Sequence, residues 1–417
     1  MGRDRYLVGA DDYRRLARRK LPRPIFDFVD SGAGGEGTTR ANEQAFDVIK
    51  FRPRVLVDIS ERSQATKVLG REIEIPVMLG PAGSTRLVHR DGELAAVRAA
   101  ARLKTVYALS TGGSCSIEEV ADAGKGAVLW FQLYMWRDRK LVGSLIERAR
   151  RSDYQALVLT VDTATSGRRD RDVRNGLYAP PRRDRQAGNH SRVSVVPRLT
   201  VRAITDMGLH PSWLVKDYLL APPITFKNVT ARDLRFASTT WSGPGAGQKR
   251  MSETATWDEF RWIRNKWSGP LVLKGVLTPE DAVRGFECGA DAVVVSNHGG
   301  RHLDGLPATI DVLPRVVEVA ERAGKQVFLD GGVRRGIDVV KAMALGAHAC
   351  LIVRPYYWAL AVSGEDGVVR LLTQMKAEID SCQGLLGRPR LEDLDRSALD
   401  FTIAAWHRDL GTARGGG

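Results

Sequence analysis

The segment Ser296-Asn-His-Gly-Gly-Arg301 sets an imidazole, a guanidinium and two glycines together directly after a run of valines. His298 is a candidate general base if a carboxylate stabilises the imidazolium it forms, and Asp162, ending another apolar run, is a candidate for that carboxylate. Arginines suit a substrate carboxylate because their planar fork matches it. A lysine such as Lys274, beside an aromatic cofactor, stabilises an anionic reduced form. The turn Asp330-Gly-Gly-Val-Arg334 lets backbone N–H groups approach a phosphate. Taken singly, each residue is as well explained as an ordinary polar group in a turn. Their joint occurrence at the ends of successive apolar runs points to one site.

Those runs are short, rich in Val, Ile and Leu, and each is followed by a helix-like stretch. Strands buried on both faces have this look. The pattern predicts strands over 75–80, 106–110, 128–134, 156–162, 271–275, 292–298, 327–331 and 349–354. Ser116-Ile-Glu-Glu119 is a capping box, and Thr278-Pro-Glu-Asp281 places Pro at the first helical position. Eight strands alternating with helices predict an α/β fold, a (β/α)8 TIM barrel with an N-terminal helical cap. An open doubly wound sheet is the alternative, but no G-x-G-x-x-G follows an early strand. In such a barrel the chemistry sits at the C-terminal strand ends, where the polar residues just named fall.

Residues 1–70 are read as the cap, with a helix over 11–20 and a glycine-rich turn from Ser31, closing the bottom or side of the barrel. The barrel is read as 71–390 and a tail as 391–417, with 412–417 disordered. After the fourth strand the rhythm breaks. The insertion 167–250 contains Pro180-Pro181, Pro222-Pro223 and Gly243-Pro244 and is read as loop-rich. It holds 16 Lys/Arg against 6 Asp/Glu, so +10 of the chain's +14 net charge lies there. Such an excess attracts phosphates, anionic lipid or nucleic acid; nucleic acid is disfavoured because no aromatic-basic platform or known module is present. Four scattered cysteines, Cys115, Cys288, Cys350 and Cys382, argue against a zinc site or disulfide framework and for a reducing, cytoplasmic setting. Residues 1–10 lack an apolar signal-peptide core, and no apolar run is long enough to span a membrane.

At these residues the chain resembles the FMN-dependent 2-hydroxy-acid oxidases and dehydrogenases, the group of glycolate oxidase, lactate oxidase and mandelate dehydrogenase. The resemblance runs from about Tyr6 to about Arg390. Its most specific motifs are Ser296-Asn-His-Gly-Gly-Arg-His-Leu-Asp304 with Pro307-Ala-Thr, and Leu329-Asp-Gly-Gly-Val-Arg-Arg-Gly336. Phe131-Gln-Leu-Tyr134, Leu159-Thr-Val-Asp162 and Leu273-Lys-Gly275 add to it. The resemblance implies an FMN cofactor and oxidation of a Cα–OH to a 2-oxo acid. It implies that His298 takes a proton, Asp162 pairs with it and Tyr134 hydrogen-bonds the substrate oxygen. Arg301 and Arg169 would bind the carboxylate. Lys274 would lie at the polar edge of the flavin, which Pro81, Ala82 and Gly83 approach through their backbone. Ser110, Gln132, Thr160 and Ser296 would hold the flavin's polar edge and ribityl chain. Asp330, Gly332, Arg334, Val353 and Arg354 would hold the ribityl chain and phosphate.

Within that family the chain is most similar to mandelate dehydrogenase, both at Gly83 and in the inserted Val196-Pro-Arg-Leu and His210-Pro-Ser-Trp segment. This implies a bulky or aromatic substrate and association of 185–250, with Trp213, Tyr218 and Leu219-Leu220, with the inner face of a membrane. It also implies a homotetramer, with oxygen, a quinone or a carrier protein as electron acceptor. The family pattern breaks at three places. Phe26 stands for a tyrosine that contacts the substrate carboxylate. Gly112 and Gly113 stand for bulkier residues and predict an enlarged pocket. Val353 stands for a glycine and predicts a hindered approach to the phosphate. Two other readings follow from these breaks: oxidation of a larger biosynthetic intermediate, such as an amine or modified peptide end, and a non-catalytic barrel that binds through its basic insertion.

Overall fold

The computed structural model describes residues 7–165, 167–176, 201–222, 226–229 and 255–400, with backbone alone at 202–203. The readings at Pro180-Pro181, Val196-Pro-Arg-Leu, Gly243-Pro244 and 412–417 lie outside the described residues.

Eight parallel strands close a barrel in chain order. They are β1 (Val77–Ala82), β2 (Val106–Ser110), β3 (Val128–Tyr134), β4 (Ala156–Thr160), β5 (Leu271–Val276), β6 (Ala292–Val295), β7 (Gln326–Leu329) and β8 (Ala349–Ile352). Cys350 of β8 pairs with Val77 of β1 and completes the ring. Because side chains alternate along a strand, each strand feeds two cores. Met78, Val106, Ala108, Trp130, Val158, Val272, Val294, Phe328 and Leu351 fill the barrel interior. The intervening residues, such as Leu109, Phe131, Leu159, Leu273 and Val295, belong to the core outside it, which the helices cover.

Three helices precede the barrel: α1 (Ala10–Lys20), α2 (Arg23–Asp30) and α3 (Gly37–Val48). Each strand is then followed by a helix: α4 (Gly92–Arg102), α5 (Ile117–Ala123), α6 (Arg139–Arg151), α7 (Trp257–Lys266), α8 (Pro279–Glu287), α9 (Thr309–Arg322), α10 (Gly336–Ala344) and α11 (Arg354–Leu386). Ser116 and Glu119 form the capping box read from sequence, and Thr278 caps α8.

The first seventy residues do more than close the bottom or side of the barrel. The hairpin of Thr66–Val68 and Arg71–Ile73 places Val68 and Ile73 in the interior core. Its turn uses Leu69 and Gly70, both at positive φ, as a two-residue hairpin of this hand requires. Helices α2 and α3, however, sit over the loop that follows β6, at the C-terminal end of the barrel strands. Asn42 and Asn297 exchange amide hydrogen bonds at 2.9 and 2.8 Å. Thr38 N donates to Asp304 at 2.7 Å, and Ala33 N to the Gly300 carbonyl at 2.7 Å. Asn297 and Asp304 of the family motif therefore dock the cap.

The last strands are shorter than read. β6 ends at Val295 because His298, Gly299 and Gly300 all take positive φ, which breaks the ladder and turns the chain over the mouth. Gly331 and Gly332 do the same after β7. Residues 399–400 fold back and pair with Lys50–Phe51, so 391–400 lie against the body of the protein.

Candidate active site

The alternation that fills the barrel also builds its mouth. On six of the eight strands the same face becomes polar two residues beyond an interior apolar residue: Ala108 gives way to Ser110, Trp130 to Gln132 and Tyr134, Val158 to Thr160 and Asp162. Likewise Val272 gives way to Lys274, Val294 to Ser296 and Phe328 to Asp330. One ring of polar side chains thus converges above an apolar plug.

Asp162 Oδ1 lies 3.0 Å from His298 Nδ1. The ring's other nitrogen, Nε2, is then the one left to accept a proton. Burial pushes the Asp162 carboxyl up, but His298 and Lys274 outweigh it and hold the group well below the usual carboxylate range. Gly275 leaves room for this carboxylate, since a side chain there would sit 2.7 Å from Asp162 Cβ and φ is +109°. Ser296 Oγ accepts from the His298 backbone N–H at 3.0 Å, which fixes the strained turn. Lys274 Nζ reaches Ser296 Oγ and Asp330 Oδ2, each at 2.9 Å. Burial opposes its charge, yet Asp330 and Asp162 raise its pKa, so it remains a cation. Burial, then Asp162, pushes the Tyr134 hydroxyl up to about 12, so Tyr134 stays a hydrogen-bond donor.

Arg169 and Arg301 flank one ring. Their guanidinium carbons stand 5.9 and 5.8 Å from the centre of Phe28. Arg301 is fixed by the carbonyls of Phe28, Val29 and Ser31 at 2.9, 3.1 and 2.7 Å, at the C-terminus of α2 where a cation is favoured. Arg169 Nε binds Asp172 Oδ2 at 2.6 Å. Burial raises the Asp172 carboxyl, against the opposing pull of Arg169 and Arg301.

The residues present fit a flavin nucleotide. Gln132 Nε2 and Thr160 Oγ1 are buried at the mouth without hydrogen-bond partners among the described residues, a cost that a ligand's polar edge relieves. Ser110 donates to Gln132 Oε1 at 3.0 Å, which turns Gln132 Nε2 toward a ligand role. Burial, then Arg301 and Arg334, pushes the Arg354 guanidinium down to about 9. Cations crowded in this way are stabilised by an anion such as a phosphate.

Several residues play parts that differ from the sequence reading. Phe26 is buried in the core of α2, and Phe28, two residues on, meets the arginines. A side chain at Gly83 would lie 2.9 Å from the Gly112 carbonyl, so the backbone after β2 fills space read as pocket. Gly113 is likewise tight against Leu109 and Ser110. A Cβ at Gly332 would meet Asn42 O at 2.0 Å, so the docking of α3 demands this glycine. Arg334 pairs with Glu43 at 2.6 Å. Val353 takes φ −127°, needs no glycine, and sets Cγ2 beside Gly80 of β1. Pro81 and Ala82 end β1, and the Tyr357 hydroxyl bonds the Gly83 carbonyl. Sequence reasoning missed Phe28, Tyr357, Phe226 and His302. Phe226 borders Gly112 from the insertion, and only its aromatic character signalled it. His302, four residues after His298 in the same motif, was legible and passed over.

The family profile for FMN-dependent dehydrogenase matches residues 17–401. An L-lactate oxidase of Nostoc sp. is 39% identical over 391 residues, 93% of this chain and 96% of that one. The human 2-hydroxyacid oxidase 1 is 37% identical over 397 residues, 94% and 96% of the two chains. The solved monotopic membrane protein (S)-mandelate dehydrogenase superposes with a TM-score of 0.86 at 34% identity, covering 95% of this chain and all of that one. A mandelate oxidase with bound (S)-2-phenylpropionate follows at a TM-score of 0.74 and 35% identity. A barrel whose polar mouth accommodates a flavin, matched along nearly its whole length by such relatives, places this chain in the FMN-dependent 2-hydroxy-acid oxidase and dehydrogenase family, as a flavoprotein oxidoreductase.

Proposed function

We propose that this enzyme oxidises a bulky, aromatic L-2-hydroxy acid of mandelate type to its 2-oxo acid. The observation that carries the reading is the 3.0 Å His298–Asp162 pair facing the same mouth as Arg169, Arg301 and Tyr134. Phe28, near both guanidinium groups, and Phe226 beside Gly112 support an aromatic substrate. The similarity to two mandelate-oxidising structures supports it too.

Arg169 and Arg301 hold the substrate carboxylate and so orient Cα–OH toward His298. His298 accepts a substrate proton at Nε2 while Asp162 stabilises the imidazolium. Tyr134, still protonated, donates to the substrate oxygen as it becomes a carbonyl. Bound FMN supplies the two-electron acceptor. Ala82 and Gly83 through their backbone, with Ser110, Gln132, Thr160, Lys274 and Ser296, would hold its ring system. Asp330, Arg334 and Arg354 would hold the ribityl phosphate. Oxygen, a quinone or a carrier protein would reoxidise it. Specificity is tested by comparing kcat/KM for L-mandelate, L-lactate and glycolate with a dye acceptor. A mandelate preference of tenfold or more is expected; a preference for glycolate overturns the bulky-substrate reading.

Membrane association is a second reading, favoured by one surface. Within 201–220, Val201, Ile204, Leu209, Tyr218, Leu219 and Leu220 are exposed. Trp213 is not part of that surface: it is buried, donates to the Leu87 carbonyl at 2.8 Å and stacks on Tyr218. No described helix is long and apolar enough to cross a membrane, so attachment would be interfacial.

A further inference from the structure

The candidate base has a second histidine against it. The rings of His298 and His302 stand perpendicular, at 88°, with centroids 4.3 Å apart. His302 Nδ1 is buried and has no hydrogen-bond partner among the described residues. The backbone of His302 is pinned, because a side chain at Gly167 would sit 2.4 Å from His302 Cα, so the ring has little freedom to leave. Among the described residues, the Asp162 side chain has His298 as its hydrogen-bond partner, at 3.0 Å.

We propose that His302 is a positioning residue for the reaction, a ring whose edge-to-face contact holds His298 on Asp162 and stabilises its imidazolium. The inference rests on the reading of His298 as base. An imidazolium against a neutral aromatic ring is attracted to it, whereas two imidazoliums at this distance repel. The contact helps only if His302 never takes the proton. The charged and titratable groups that face it are His298 and Arg301 after β6, Asp162 after β4 and Arg169 in the insertion. Burial, then His298, pushes the His302 imidazole down to about 2, and Arg169 and Arg301 add to this against Asp162. His302 is thereby held in its neutral form.

The test is a pH titration of the FMN-loaded protein without substrate, using 13C-ring-labelled histidine, in the native chain and in His302→Leu and His302→Phe. Seven histidines are present, and loss of a signal in His298→Asn and His302→Leu assigns the two. In the native chain, His298 should titrate and His302 should stay neutral throughout the folded range. Removing the ring in His302→Leu should lower the His298 midpoint by about half a pH unit or more, and His302→Phe, which keeps an aromatic face, should restore it. The acid limb of kcat/KM should move with it while KM changes less than threefold. An unmoved His298 in His302→Leu, an equal shift in His302→Phe, or a His302 that titrates in the same range overturns the proposal. So does a rise in KM alone, which would make His302 a substrate contact. If His302→Leu does not fold, the native titration and His302→Phe still decide. If His298 behaves as stated but no 2-hydroxy acid reduces the flavin, the functional reading fails and the ring coupling stands.

Discussion

His298 and Asp162 meet through one contact, and the consequences of breaking it differ by partner. Replacing His298 by Asn removes the proposed base and should slow flavin reduction by about 10²- to 10⁴-fold while leaving FMN bound; stopped-flow reduction measures the first and the absorption spectrum the second. Asp162→Asn should slow it comparably, because the imidazolium loses its counter-charge. The same groups shape stability against pH. Asp162 lies below its ordinary value, so its contribution is present above the unfolded carboxyl value, about 4, and is lost as pH falls through the lower folded one. Lys274 is raised, so its contribution is present below about 10.4 and is lost only as pH rises through the folded value. Urea midpoints should therefore be level from about pH 7.5 to about pH 9 and fall from about pH 6.5 downward, as the unfolded chain protonates histidines such as His302 that the fold holds neutral; they should fall further below about pH 4 through Asp162, less steeply in Asp162→Asn. A native midpoint that rises on going from pH 6 to pH 3 would contradict the assignment.

At the scale of elements, the cap and the insertion hold the arginines in place. Arg171 ties α2 to the segment that carries Arg169: it bonds Asp27, Asp30 and Glu36 at 3.2, 2.9 and 2.7 Å. Arg171→Met leaves Asp30, its side chain 1% exposed, with Arg14 as its remaining ion-pair partner among the described residues. The expected cost is about 2–4 kcal/mol, read as a lower thermal midpoint, with a higher KM because Arg169 and Arg301 lose a fixed platform. Gly332→Ala should prevent α3 from docking and abolish FMN retention, since Asn42 O occupies the Cβ position. The barrel was legible because parallel strands buried on both faces leave continuous apolar runs. Asp162, Lys274 and Ser296 were legible because each ends such a run. The role of Phe28 was not, because helical periodicity says which face of α2 is buried but not against what. The early end of β6 was hidden as well: nothing in a His-Gly-Gly triplet announces a left-handed histidine.

At the scale of the whole molecule, the proposed attachment to a membrane would draw on the +14 charge and the exposed apolar residues of 201–220. Binding to vesicles rich in anionic lipid should be measurable at low salt, weaken as salt rises, and fall at least tenfold in Leu219→Asp/Leu220→Asp with turnover in solution unchanged. Co-sedimentation of the native chain equal to that of the double variant would remove the membrane reading without touching the chemistry. The chemistry itself is tested most directly by one spectrum. The FMN-loaded protein is mixed anaerobically with L-mandelate, and the visible flavin band is followed in the native chain and in His298→Asn. The account predicts bleaching within seconds in the native chain and a persistent band in the variant. A native band that persists with mandelate, lactate and glycolate alike, or a variant that bleaches as fast as the native chain, would contradict it.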